Sequence, residues 1–133
     1  MGSRNWKMVG LKPEPELRRG FKDKKRLGYL ANYSCQVCQL LGENQTTRTE
    51  LHHLAGIGAG MKASDLLCLV LCQKHHTGKD GVHSGIAEFE AKFKSQLQFI
   101  FEINERIFKD RALKGRDLER YYLVKNYCEN NLN

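Results

Sequence analysis

The order of apolar and polar positions divides the chain into a punctuated first part, a strand-like middle and a helical last third. Thr46-Thr47-Arg48-Thr49-Glu50-Leu51-His52-His53 alternates and is rich in Thr, so it predicts a strand. Leu67 to Leu71 is a short apolar run bounded by turn signals and predicts a second strand. A short helix is expected from about Gln73, broken early by Thr77-Gly78-Lys79-Asp80-Gly81. Ser84 or Gly85 begins another helix, to about Lys92. Ser95-Gln96-Leu97-Gln98 has the capping-box pattern, Ser with Gln three residues later. After it, Leu97, Ile100, Phe101, Asn104, Ile107 and Phe108 fall at helical spacing on one face, which marks a helix that packs on the core. Gly115 punctuates that helix, and a last one runs from about Arg116 to Cys128 with Tyr121, Tyr122 and Val124 partly buried. Upstream, residues 17–34 start a loosely periodic helix, and Cys35 to Leu41 make a turn. The pattern therefore predicts an α+β chain: two strands and a short helix as a ββα unit, followed by a helical section.

Composition changes this picture in one respect. The chain has 133 residues and a net charge of +7, unevenly spread. Residues 1–30 hold nine Lys and Arg against three Asp and Glu, whereas the remainder holds thirteen against twelve. The division expected is a basic, partly flexible arm at residues 1–30 and one domain at residues 31–133. A basic arm is the footprint of a polyanion partner, nucleic acid above all; a solvated tail is the alternative for residues 1–16, where Pro13 and Pro15 argue against regular structure. Lys22, Lys24, Lys25 and Arg26 are the candidate phosphate contacts, with Lys62 at the end of the glycine-rich loop. That loop, with Gly56, Gly58 and Gly60, is open to two readings, a phosphate cradle or a plain hairpin connection. No apolar run approaches 18 residues and no signal-peptide pattern is present, so neither a membrane span nor secretion is expected.

The chemistry is concentrated between Cys35 and His83. Four of the five cysteines and all five histidines lie in these 49 residues. Cys35-x2-Cys38 and Cys72-x2-His75 are two paired-ligand knuckles that can supply a tetrahedral Cys3His zinc site, closing a gap of 33 residues. This spacing favours reduced thiolates in a cytoplasm over a disulfide framework. Cys68, inside the apolar run, is expected to be a small core residue, and Cys128 is left open between packed and free.

The remaining histidines need another role. Successive strand residues point to opposite sides, so His52 can face a metal while His53 stays free for a water. A second divalent cation, Mg2+ or another, held by His52, His76 and His83 beside an unligated His53 would be a hydrolytic centre. The ion stabilises charge on a phosphate, and His53 takes the proton from water. Imidazole titrates near neutral pH and can do this without extreme tuning.

At these residues the chain resembles the HNH, or ββα-metal, nucleases. The run His52-His53-Leu54-Ala55-Gly56-Ile57-Gly58-Ala59-Gly60-Met61-Lys62-Ala63-Ser64-Asp65, with Leu71-Cys72-Gln73-Lys74-His75-His76-Thr77-Gly78 and Gly81-Val82-His83, is similar to the phage recombination-enhancement nucleases of the Ref type. The resemblance covers roughly residues 35 to 105. It implies metal-dependent hydrolysis of a DNA phosphodiester, with His53, His52, Asp65 and His76 as catalytic residues. It further implies single-stranded or displaced-loop DNA as target, a RecA filament as partner, and a bacterial host cytoplasm. The middle Asn of the broader pattern is absent, and Asp65 stands nearest its place, open to three roles: metal ligand, orienter of His53, or turn cap. The roles of His75 and His76 are open to exchange. The competing class is a zinc-dependent DNA- or protein-binding module without chemistry.

Overall fold

The computed structural model describes residues 14–56 and 62–132. Residues 1–13 of the basic arm, and Gly58 and Gly60 of the glycine-rich loop, lie outside the described residues. The architecture is α+β. Helices α1 (Lys24–Leu30) and α2 (Gln36–Leu41) precede strands β1 (Thr49–His53) and β2 (Cys68–Cys72). Helices α3 (Gln73–His76), α4 (Ile86–Lys92), α5 (Gln96–Asp110) and α6 (Gly115–Asn131) follow.

The strands pair antiparallel, with His52 opposite Leu69 and His53 opposite Cys68. All five β2 residues are buried. Alternate side chains of a strand face opposite sides. Accordingly, Leu69 and Leu71 join one apolar cluster, with Val37, Phe89, Phe99, Ile100 and Val124. Cys68 and Val70 join another, with Leu30, Ile103 and Ile107. A strand covered on both faces reads as an unbroken apolar run, which is why Leu66 to Leu71 does not alternate. Cys68 and Cys128 are both fully buried core residues.

Helix α5 is capped as its sequence predicts: Ser95 accepts a hydrogen bond from the Gln98 amide at 3.0 Å. The reciprocal half of a capping box does not form, because the Gln98 side chain donates instead to Glu102. The buried stripe is Gln96, Phe99, Ile100, Ile103, Asn104 and Ile107. Phe108, expected on that face, is 42% exposed and stacks on Tyr121.

The N-terminal segment departs furthest from expectation. Residues 14–30 are bonded to the domain rather than set apart from it. The Gly20 amide donates to the Lys62 carbonyl, and the Asp65 amide to the Phe21 carbonyl, each at 2.9 Å. Glu16 pairs with Arg120 at 2.9 Å, and Ser64 donates to the Glu16 carbonyl at 2.6 Å. Only a short helix forms within residues 17–34, capped by Asp23, which accepts from the Arg26 amide. Arg26 is not a phosphate contact: it is buried, and its guanidinium donates to Asn104 at 2.9 Å. Burial pushes its pKa down to about 10, yet leaves it charged at neutral pH. Among the described residues, no helix is long and apolar enough to cross a membrane.

Candidate metal centres

Two groups of ligand-type side chains converge where α2, β1, β2 and α3 meet. The first is Cys35, Cys38, Cys72 and His75, all buried. Cys35 caps α2, its sulfur accepting from the Cys38 amide at 3.4 Å, which curls the first knuckle. Cys72 ends β2 and opens α3, so the second knuckle forms where strand turns into helix.

The spacings test whether zinc fits. Bonds of about 2.3 Å to sulfur and about 2.05 Å to nitrogen give tetrahedral edges of about 3.8 Å between sulfurs and about 3.55 Å between sulfur and nitrogen. Cys38 Sγ lies 3.8 Å from Cys72 Sγ. His75 Nδ1 lies 3.6 Å from Cys35 Sγ, 3.6 Å from Cys38 Sγ and 3.4 Å from Cys72 Sγ. The set therefore has the dimensions of a zinc tetrahedron. Burial and the neighbouring thiols push Cys38 up to about 12, and burial raises Cys35, so a buried cation is what would hold these two sulfurs as thiolates, whereas at Cys72 burial is outweighed by hydrogen bonds that lower it.

The second group is His52, His76 and His83, graded from buried through half-buried to exposed. It forms because Glu50 and His52, two apart on β1, project to one side, where α3 lies. His75 and His76 are consecutive on α3 and thus about 100° apart around its axis. His75 joins the sulfur group and His76 the histidine group. A tight turn then returns the chain to deliver His83. Gly81 makes that turn possible: a Cβ there would lie 2.7 Å from the His76 carbonyl carbon and oxygen. His83 Nε2 ends 3.1 Å from His76 Nε2. Two nitrogens on one ion, with bonds of about 2.0–2.1 Å, lie about 3.0 to 3.4 Å apart.

Two of the three histidines, His76 and His52, are held from behind. Glu50 accepts from His76 Nδ1 at 2.8 Å, leaving Nε2 with the lone pair. Arg48 clamps the other Glu50 oxygen at 2.8 Å, and the hydrogen bonds from His76 and Arg48 keep the Glu50 pKa below its usual value. His52 Nε2 lies 2.9 Å from Gln96 Oε1. Burial pushes His52 down to about 4 and also lowers His83, so both stand neutral and ready to ligate near pH 7. The donors are all nitrogen; among the described residues no carboxylate joins the group. Of the ions expected, Mg2+ or another divalent cation, this set gives Mg2+ no support, because Mg2+ takes oxygen ligands. Imidazoles suit a borderline ion such as Zn2+, Ni2+ or Co2+.

His53 stands outside both groups. Its Nε2 donates to Asp65 Oδ1 at 2.8 Å, and the Asp23 amide donates to Asp65 Oδ2 at 2.8 Å. Burial alone would raise the Asp65 pKa, but these two hydrogen bonds hold it below the usual carboxylate value. Asp65 is therefore the partner of His53 and not a member of either ligand group. Of the candidate phosphate contacts, Lys22, Lys24 and Lys62 are exposed, and Lys25, also exposed, pairs with Asp117 at 2.8 Å. Sequence reasoning missed Glu50 and Gln96. The i, i+2 spacing of Glu50 and His52 could have signalled the first; the second leaves no local mark.

Residues 13–114 match the model of a family described as protein of unknown function (DUF968), and the chain belongs to that family. The matched range holds both ligand groups and ends where α6 begins. The chain is similar to the uncharacterized protein YdfU of Escherichia coli (strain K12), with 36% identity over 102 residues. That match covers 74% of this chain and 25% of YdfU, so the chain spans about a quarter of the length of this relative. No solved structure matches.

Proposed function

For this member of the DUF968 family we propose a metal-dependent endonuclease of the HNH type, with β1, β2 and α3 as its ββα-metal core. The observation that carries the reading is an open three-histidine group together with a His53–Asp65 dyad, His53 following His52 directly on β1. A binding module has no need of an imidazole oriented by a buried carboxylate next to a ligand set with a free side.

The residues divide the work as follows. His52, His76 and His83 hold one borderline divalent ion. When bound, that ion supplies Lewis-acid stabilisation of charge on the phosphate and on the leaving oxygen. Asp65 is an ionised acceptor, so the proton between it and His53 sits on Nε2. His53 Nδ1 then carries the lone pair and takes a proton from the attacking water. Asp65 steadies the imidazolium that forms, and the Asp23 amide keeps Asp65 from turning away. Cys35, Cys38, Cys72 and His75 hold zinc that keeps α2 and α3 in register. Charge favours DNA as substrate, with Lys22, Lys24 and Lys62 along its backbone. The resemblance narrows the target to single-stranded or displaced-loop DNA met on a RecA filament.

The test is cleavage of single-stranded circles and supercoiled duplex by zinc-loaded protein supplied with Ni2+, Co2+ or Mg2+, with and without RecA. His53→Ala is run alongside. Cutting that falls by about 10²- to 10⁴-fold in the variant, with zinc content and melting temperature kept, supports the reading. Tight DNA binding without cutting under every condition would replace it with the binding-module reading.

A further inference from the structure

Gln96 is buried to 2% exposure at the start of α5, yet its side chain packs against the end of β1 rather than its own helix. Its amide makes a two-sided contact with Ala55. Gln96 Nε2 donates to the Ala55 carbonyl at 3.1 Å, and Oε1 accepts from the Ala55 amide at 3.0 Å. Turning the amide over would set NH2 against N–H and oxygen against oxygen, so the contact fixes which end is which. The oxygen is therefore the atom 2.9 Å from His52 Nε2. The Gln96 backbone is fixed as well, its amide donating to Glu90 at 2.8 Å.

An oxygen that only accepts requires a proton on its partner. We infer that Gln96 is a positioning residue that keeps the His52 proton on Nε2 and so makes Nδ1 the nitrogen offered to the second ion. The inference rests on the three-histidine reading for its purpose, though not for its geometry. It completes a pattern. His76 is held through Nδ1 by Glu50 and offers Nε2, whereas His52 is held through Nε2 by Gln96 and offers Nδ1. Two ligands on different elements thus present opposite ring nitrogens, each chosen by an acceptor behind it. Gln96 suits the place because it is neutral and its amide is satisfied on both sides, so the pocket around His52 gains no buried charge.

The first measurement is the tautomer of His52 by two-bond 1H–15N correlation on the full chain, zinc-loaded and without a second ion, at mildly alkaline pH. The Nε2–H form is expected; the Nδ1–H form would overturn the assignment. Co2+ is then titrated into wild type, Gln96→Leu and Gln96→Glu and followed by calorimetry and visible absorption. Gln96→Leu should weaken Co2+ binding by about 10- to 100-fold, and Gln96→Glu, which keeps an acceptor, should restore most of it. Equal binding in wild type and Gln96→Leu sinks the proposal. If wild type takes up no Co2+ beyond its zinc, the functional reading fails, and the tautomer alone decides the part played by Gln96.

Discussion

The sulfur group and the histidine group lie on either side of one short helix and differ in almost every physical respect. The first has four donors, all buried, at the corners of a tetrahedron, with no position left over. The second has three donors, with the pKa of His52 and that of His83 lowered by desolvation, and opens to solvent at His83. The first is backed by its own knuckle turns; the second is backed by side chains, Glu50 and Gln96, that choose a ring nitrogen. A closed set with charged sulfurs suits a structural ion, and an open set of oriented imidazoles suits an ion that meets a substrate. Histidine is found in both, so what separates the two is the presence of sulfur and whether a coordination position remains.

The sharpest way to break this contrast is to exchange neighbours. His75→Ala should lose zinc and cost a large share of a total stability of roughly 5–15 kcal/mol. His76→Ala, one residue on, should keep zinc and the fold and lose only the second ion. Zinc analysis and thermal melts on the two variants decide it, and similar behaviour would erase the distinction. Cys35→Ser should follow His75→Ala.

Asp65→Asn tests the chemistry without touching either ligand group. Turnover should fall by about 10²-fold and stability by about 1–3 kcal/mol, because a charge-assisted acceptor for His53 is lost. Metal content should not change, and a drop in either ion would move Asp65 into a ligand role. Gly81→Ala comes next in size. The added Cβ must push the turn off the His76 carbonyl, so Co2+ binding should weaken by about tenfold or more while zinc is retained. The smallest effect belongs to Lys22→Ala with Lys24→Ala. Both side chains are exposed, so DNA affinity should fall modestly and the salt slope of binding by roughly 2. An unaltered slope would remove both from the interface.

The local signals in the sequence were good guides where the chemistry is local. Cys-x2-Cys and Cys-x2-His bend into knuckles because each pair spans one turn, and the two strands are marked by the Thr-rich alternation and by the apolar run. What could not be read depends on distant partners. Arg26 looks like one more cation of a basic cluster; it is buried because Asn104, 78 residues away, accepts its guanidinium. Residues 14–30 look like an arm because backbone hydrogen bonds to Lys62 and from Asp65 leave no trace in side-chain composition. Gln96 sits beside a recognisable cap and gains its meaning only from Ala55 and His52, more than forty residues back. Phe108 departs from the expected face of α5 for a related reason: it stacks on the buried Tyr121 of α6 while its own side chain stays 42% exposed.

Helix α3 is four residues long, and its last two belong to different ligand groups. The connection between the two knuckles is freer to drift in length over generations, since a longer one costs little. Between His75 and His76 there is no such freedom. One inserted residue would rotate every later side chain by about 100° and send the second ligand away from its partners. The pair therefore acts as a fixed point for sequence divergence. In more distant relatives, insertions should gather in the turns after Leu41 and His53, and this dipeptide should remain uninterrupted.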